Sequence, residues 1–184
     1  MILGLDISTS CTGACLLKDN GELVDLGYSK PKGDNIFEKA RCVSDFLKKF
    51  TQKYEITSIF IEENMQAFRP GLSSAKTLMT LARFNGIISQ LCYSEFSIVP
   101  LYLNVNASRK NLGIKLVRKN KGGKPTKEQI FEWVESDLAT YSNAYQWPTK
   151  IMKSGPRKGK TIIDTASYDM ADAYVIARAG FLNN

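Results

Sequence analysis

The sequence predicts one α/β domain built around a mixed five-stranded sheet. The chain has 184 residues, of which 43% are hydrophobic, enough for the buried core of one compact domain. Three strand-like runs come first, and helical periods then alternate with two further strands. This order is typical of a sheet that begins with three antiparallel strands and is flanked by helices. Since no repeat or low-complexity linker divides the sequence, we expect 1–184 to form a single domain.

The strands are predicted from apolar runs that end in polar or turn-forming residues. The Asn20-Gly21 pair favours a tight hairpin between the second and third runs, because both residues tolerate positive φ. Pro100 favours an edge position for the fifth strand. The predicted strands are 2–7, 12–18, 22–29, 57–62 and 97–103.

The helices are predicted from apolar residues at helical spacing. Thr126 is expected to cap the fourth helix, with Gln129 completing a capping box. The segment 141–163 is expected to be irregular and basic. The predicted helices are 35–53, 71–93, 107–113, 127–140 and 165–181.

Positive charge is concentrated in two segments. Residues 109–127 carry eight cations and no acid, and residues 150–160 carry five cations and no acid. Outside these thirteen cations the chain has 12 Lys and Arg against 18 Asp and Glu, a net charge of −6. Such segregation favours a polyanionic partner over general solubility, although two solvated loops would also explain it. Basic loops are expected at about 115–126 and 142–163.

The cysteines and the chain start suggest an intracellular protein. The four cysteines are Cys11, Cys15, Cys42 and Cys92, and histidine is absent, so a zinc site is not expected. Buried thiols in a reducing, cytoplasmic compartment explain them better. The sequence shows no signal peptide and no apolar run of about 18 residues that would span a membrane.

Four carboxylates stand at positions that a metal site would explain. Asp6 and Glu62 each close an apolar strand, where an ionised side chain is costly unless paired or bound to a cation. Asp169 and Asp172 are three residues apart on the last helix and share a face. The adjacent Glu63 remains an alternative to Glu62.

Such a cluster suits the hydrolysis of a phosphodiester. Two hard divalent ions about 3.5–4 Å apart activate water and stabilise the leaving oxygen. Oxygen ligands favour Mg²⁺, with Mn²⁺ as a substitute, over zinc or copper. We therefore expect a magnesium-dependent nuclease that uses two metal ions in each active site.

Three motifs resemble the RuvC-type Holliday junction resolvases. The motifs are ILGLDISTSCTG at the start, FIEEN near 60–64 and DMADAYVIA in the last helix. The resemblance implies an RNase H-like fold in which Asp6, Glu62, Asp169 and Asp172 bind metal. It further implies a homodimer that resolves four-way DNA junctions by paired symmetric nicks.

The resemblance also implies roles for basic and aromatic residues. Lys127 would stabilise charge during catalysis, Arg109 stands where the family has lysine, and Phe68 would contact the junction. Ile7-Ser8 departs from the family's usual Pro-Gly, and the segments 118–126 and 142–163 are longer than expected. The predicted DNA-binding residues are Phe68, Arg109, Lys110, Lys115, Arg118, Lys119, Lys121, Lys124, Arg157 and Lys158.

Three other interpretations remain open. The opening motif also resembles the first phosphate motif of the actin and sugar-kinase fold, although that superfamily needs two such domains. A nuclease of the same fold acting on flaps or RNA–DNA hybrids would have the same site. A non-catalytic DNA-binding module is disfavoured, because carboxylates without metal repel the phosphate backbone.

Helix 71–93 is the expected dimer contact. Successive helical residues turn by about 100°, so Leu78, Leu81 and Phe84 cannot all lie on one narrow stripe. The surplus apolar surface favours pairing with a second copy of the chain. Burial of the whole helix within its own domain is the alternative.

Overall fold

A five-stranded sheet forms the centre of the computed structural model, which describes residues 1–64, 74–140 and 145–183. The strands are β1 (Ile2–Asp6), β2 (Thr12–Leu17), β3 (Leu23–Ser29), β4 (Ser58–Glu62) and β5 (Leu101–Leu103). Their spatial order is β3-β2-β1-β4-β5. The first three strands are antiparallel, β4 is parallel to β1, and β5 is parallel to β4. The predicted mixed sheet is confirmed, with the fifth strand at an edge. That strand begins at Leu101, after Pro100, and not at residue 97 as predicted.

Helices cover both faces of the sheet. One hydrophobic cluster joins the sheet to the fourth and fifth helices, and a second joins it to the first two. The helices are α1 (Ile36–Thr51), α2 (Ala75–Phe96), α3 (Val105–Asn111), α4 (Thr126–Leu138) and α5 (Ala166–Asn183). The Asn35 side chain caps α1 by accepting hydrogen bonds from the backbone N–H groups of Phe37 and Glu38.

Helix α5 lies unusually close to the sheet, and every residue from 166 to 180 except Tyr168 and Asp169 is buried. Glycine permits the approach at each end of the helix. A Cβ on Gly13 of β2 would lie 2.0 Å from the backbone oxygen of Asp169, and one on Gly180 would lie 2.2 Å from the Phe60 ring. The buried surroundings of α5 explain why its sequence shows little amphipathic period.

The parallel arrangement of β1 and β4 brings their last residues to one end of the sheet. Leu5 pairs with Ile61, so Asp6 and Glu62 are the next residues on neighbouring strands. Asp6 pairs with Gly13, which packs on the backbone of Asp169 near the start of α5. We call this end of the sheet the acidic edge.

The segment 141–163 is not irregular throughout, so that expectation was wrong. Strands β6 (Thr149–Ile151) and β7 (Thr161–Ile163) form an antiparallel hairpin that is separate from the main sheet. Three-residue strands are too short to produce a period in the sequence, and the lysines, glycines and single proline between them resemble a loop.

The expected capping box at Thr126 and Gln129 is also wrong. Helix α4 begins at Thr126 itself, after Pro125, and no side chain caps it. The Gln129 side chain turns back instead to the basic loop before the helix, where it accepts from the N–H of Val117 and donates to the carbonyls of Val117 and Lys124. The Gln129 amide therefore binds the backbone of the loop instead of capping the start of α4.

Within the described residues, no helix is both long enough and apolar enough to cross a membrane.

Candidate active site

The four predicted carboxylates meet at the acidic edge. Asp6 and Glu62 end β1 and β4, while Asp169 and Asp172 lie one turn apart at the start of α5. Asp172 is buried and the other three are partly exposed. The fold therefore brings together side chains that are separated by more than 160 residues in the chain.

The raised pKa values of Asp6, Glu62 and Asp172 indicate that these carboxyl groups are desolvated and lie close to other carboxylates. Desolvation raises the pKa of Asp6 well above its usual range, and the charges of Glu62, Asp172 and Asp169 raise it further. Desolvation followed by the charge of Asp172 raises the pKa of Glu62 to about 7. The pKa of Asp172 is also raised by desolvation, although the Arg109 and Lys127 charges oppose the shift. Negative charge at this edge is incompletely neutralised by the protein itself.

Two cations face the carboxylates. The Arg109 guanidinium, on α3, donates to Asp172 at 3.2 Å, and its Nε is buried without a hydrogen-bond partner. The Lys127 ammonium, on the first turn of α4, lies 3.3 Å from Asp169. Desolvation lowers the pKa of Lys127, but the charges of Asp169, Asp172 and Asp6 outweigh it, so the pKa is raised overall.

The donor set fits magnesium in its chemistry. All four acidic side chains offer hard oxygen ligands, and a divalent cation would relieve the charge repulsion among them. Among residues 1–64, 74–140 and 145–183, no three His, Cys, Asp or Glu side chains are already drawn together as a metal site. In this structure Arg109 and Lys127 supply the positive charge that faces the carboxylates.

One contact with the site was not predicted from the sequence. The Cys11 thiol is buried beside Asp169, and burial together with the charge and hydrogen bond of that carboxylate raises the pKa of Cys11 to about 12. The Ser8 hydroxyl donates to the carbonyl of Cys11 at 2.7 Å and accepts from its N–H at 3.1 Å. Ser8 thus closes the turn where the resembled family has Pro-Gly.

Most of the predicted DNA-binding cations do not join the carboxylates. Arg109 alone among them contacts the acidic cluster, while Lys124 forms an ion pair with Glu132. Phe68 lies outside the described residues. The remaining predicted cations are exposed, at Lys110, Lys115, Arg118, Lys119, Lys121, Arg157 and Lys158.

The basic loop before α4 is held in shape by the Gln129 amide. Its three hydrogen bonds to Val117 and Lys124 are 2.6–2.9 Å long. A 3₁₀ turn at Lys119–Lys121 follows, and Gly122 has a φ of 81°. The loop presents its cations from a fixed backbone.

We expect Gln129→Ala to loosen this loop. Losing three hydrogen bonds should increase the rate of trypsin cleavage within 115–124 several-fold, since proteases cut locally opened segments. The melting temperature should change little, because the loop is exposed.

Glu132→Gln is the matched control for Gln129→Ala. It removes only the exposed ion pair with Lys124, and such pairs contribute about 0–1 kcal/mol. Equal trypsin rates in wild-type protein and Gln129→Ala would contradict the role of the amide.

Comparison with known proteins identifies the fold. No protein-family model matches the chain, and no curated protein matches it by sequence. Among solved structures it is similar to Thermus thermophilus RuvC in complex with a Holliday junction substrate, with a TM-score of 0.65 and 12% identity over 99% of this chain and 93% of that one. It is also similar to a structure of Thermus thermophilus RuvC, with a TM-score of 0.59 and 14% identity over 99% of this chain and 94% of that one.

A third similar structure is the yeast mitochondrial Holliday junction resolvase. The TM-score is 0.55, and the identity is 16% over 98% of this chain and 77% of that one. The chain therefore has the RNase H-like fold of the RuvC-type resolvases, which confirms the fold inferred from the three motifs.

Proposed function

We propose that the protein is a magnesium-dependent endonuclease that resolves four-way DNA junctions. One observation carries the proposal: four carboxylates from three separate elements converge at one sheet edge with too little positive charge to neutralise them. A folded protein rarely keeps such repulsion between side chains unless a ligand relieves it. A group of carboxylates with perturbed pKa values therefore indicates a functional site. The RuvC-like fold and two basic segments favour a branched DNA substrate.

Asp6, Glu62, Asp169 and Asp172 would hold two magnesium ions. When bound, the ions supply an activated water and neutralise charge on the phosphate. The fold keeps these carboxylates in place through the backbone of β1, β4 and α5. Glu62 is favoured over Glu63 because its carboxylate lies close enough to Asp172 for that charge to raise its pKa.

Lys127 would stabilise negative charge on the scissile phosphate. Its side chain is more than half exposed, at 60%, while its ammonium reaches Asp169. A cation fixed by a carboxylate on one side and open to solvent on the other can contact an incoming phosphate without reorganising. Hydrolysis would leave a 5′-phosphate and a 3′-hydroxyl.

Cleavage of a labelled synthetic four-way junction with Mg²⁺ tests the proposal directly. We expect paired nicks at symmetric positions, with much slower cleavage of duplex, flap and RNA–DNA hybrid. Preferential cleavage of the hybrid would instead indicate an RNase H-type activity. Absence of cleavage on every substrate, with either Mg²⁺ or Mn²⁺, would refute the nuclease.

We further propose that the protein acts as a homodimer through α2. The helix buries Phe84 and Ile88 but leaves Met79 and Tyr93 about half exposed. One exposed stripe of the helix is apolar and mostly small, and it is bordered by the exposed polar side chains of Lys76, Arg83 and Gln90. The stripe consists of Ala75, Met79, Ala82, Gly86 and Tyr93. Small residues allow a second helix to approach closely, and a two-fold dimer would match the symmetry of paired nicks.

Met79→Glu should shift the protein toward monomer, because it places a charge in the proposed contact. We expect light scattering at micromolar concentration to report a dimer for the wild type and a smaller mass for the variant. Phe37→Glu on α1 is the matched control, since Phe37 is also an exposed apolar residue, at 69%. A wild-type monomer that still makes paired nicks would overturn the dimer, and an unchanged mass for Met79→Glu would place the interface elsewhere.

A further inference from the structure

The hairpin β6–β7 with its connecting tip, residues 149–163, forms a basic ribbon. It carries five cations, at Lys150, Lys153, Arg157, Lys158 and Lys160, and no acid. Its tip is ordered by backbone hydrogen bonds, including those from Met152 to Lys160 and from Gly159 to Met152. An exposed hairpin with this charge favours a polyanionic partner.

The ribbon is fixed at its base. The Asp164 carboxylate, directly after β7, pairs with Lys30 at 2.7 Å and accepts from the N–H of Ala166 at 2.9 Å. The N–H of Asp164 also donates to the Pro148 carbonyl before β6. Trp147 packs at a tilt against Phe131 of α4, with ring centroids 4.6 Å apart. The base therefore cannot swing freely.

These contacts place the base of the ribbon near the acidic edge. Lys30 follows the end of β3, and the last residue of β3 pairs with Thr12, next to Gly13, which pairs with Asp6. Asp164 caps the start of α5, the helix that carries Asp169 and Asp172. A nucleic acid bound at the carboxylates would pass near the ribbon.

The two faces of the ribbon differ. Register pairs Thr149 with Ile163 and Ile151 with Thr161, and these four residues share one face. All four are exposed, with Ile151 at 65%. The face is uncharged and bears methyl groups, whereas the exposed cations lie around it at the tip.

We infer that the ribbon binds a duplex DNA arm by entering its major groove. That groove is about 12 Å wide and admits a two-stranded β-ribbon, and threonine and other apolar side chains contact the thymine methyl there. The flanking cations Lys153, Arg157 and Lys158 contact phosphates, where each neutralised phosphate releases a counterion. The inference rests on the proposed function for the presence of DNA, and it adds a second binding element outside the acidic site.

The effect of arm length tests the ribbon in the whole protein. Arg157→Gln/Lys158→Gln should weaken binding to a junction with long arms about tenfold. The slope of the logarithm of the binding constant against the logarithm of salt concentration should also become less steep by about two, because two fewer counterions are released. Binding to a junction trimmed to a few base pairs per arm should change less than twofold. Lys49→Gln/Lys53→Gln is the matched control, since both lysines are exposed near the end of α1, close to the strand starts at the opposite end of the sheet. An equal loss on both junctions would overturn the arm contact.

A footprint distinguishes groove entry from backbone contact alone. In the complex, guanine N7 atoms in one arm should be protected from dimethyl sulfate, because N7 faces the major groove. Ile151→Glu should remove that protection while leaving the melting temperature unchanged, because the residue is exposed. Full reactivity of the arm guanines with the wild-type protein would refute the proposal.

The ribbon and the nuclease can fail separately. If arm protection occurs but no substrate is cut, the proposed activity is wrong and the ribbon is a duplex-binding element. If junctions are cut but the arms stay unprotected, the activity holds and the ribbon inference is wrong.

Discussion

Asp6→Asn should abolish junction cleavage while making the metal-free protein more stable. The loss of one charged oxygen ligand should reduce the rate by at least about 1,000-fold, the upper range for removing one electrostatic contact to a transition state. Stability should rise because the ionised Asp6 carboxylate is disfavoured by desolvation and by Glu62, Asp172 and Asp169. One kcal/mol shifts the melting temperature of a chain this long by about 2–4 °C, so the gain is measurable in the presence of a chelator.

Asp45→Asn is the control, because Asp45 is exposed on α1. It should change neither cleavage nor melting temperature. Asp6→Asn should still bind the junction in a gel-shift assay with calcium or chelator. Retained binding would separate the loss of catalysis from a loss of affinity. Cleavage by Asp6→Asn at the wild-type rate would remove Asp6 from the site.

The raised pKa of Glu62 predicts how stability changes with pH. Glu62 has a folded pKa of about 7 against an ordinary value of 4.5. The folded state therefore binds more protons than the unfolded state, so the metal-free protein should gain stability as pH falls from about 8 toward 5. With magnesium present, stability should instead fall as pH falls, because protons compete with the metal for the carboxylates. The stabilising effect of magnesium should therefore shrink below about pH 7. A magnesium effect that is independent of pH would contradict carboxylate ligands at this edge.

The sequence predicted the acidic edge well because its signals are local. Asp6 and Glu62 each end an apolar strand, and strands that run parallel place their last residues together. Asp169 and Asp172 share a helix face by their spacing alone. Neither inference needs a side-chain conformation, so the pattern indicated these positions, and the resemblance implied that all four carboxylates form one site.

Contacts in which a side chain binds a partner that only the folded structure brings near could not be predicted in this way. Gln129 has the spacing of a capping residue, yet distant carbonyls in a loop take its amide. The ribbon has strands too short for a period, and its base is held by contacts of Asp164 and Trp147 with residues outside the ribbon. Cys11 contacts Asp169 only because α5 lies so close to β2.

That close approach gives the second large expected effect, at Gly13. In Gly13→Ala the new Cβ would lie 2.0 Å from the Asp169 carbonyl oxygen and 2.4 Å from its carbonyl carbon. Because these are backbone atoms, the start of α5 must move, at a cost of about 3 kcal/mol for overpacking. The shift displaces Asp169 from Asp6, and a misplacement near 1 Å can slow a reaction about 100-fold.

Gly180→Ala separates stability from site geometry. Its Cβ would lie 2.2 Å from the Phe60 ring, so it should also destabilise the protein, but at the far end of α5 from the carboxylates. Well below both melting temperatures, Gly180→Ala should cleave junctions within about threefold of wild type while Gly13→Ala remains slow. The comparison uses cleavage rates at saturating junction and unfolding free energies in urea. Equal losses of activity in the two variants would show that general destabilisation, rather than the position of Asp169, limits the reaction.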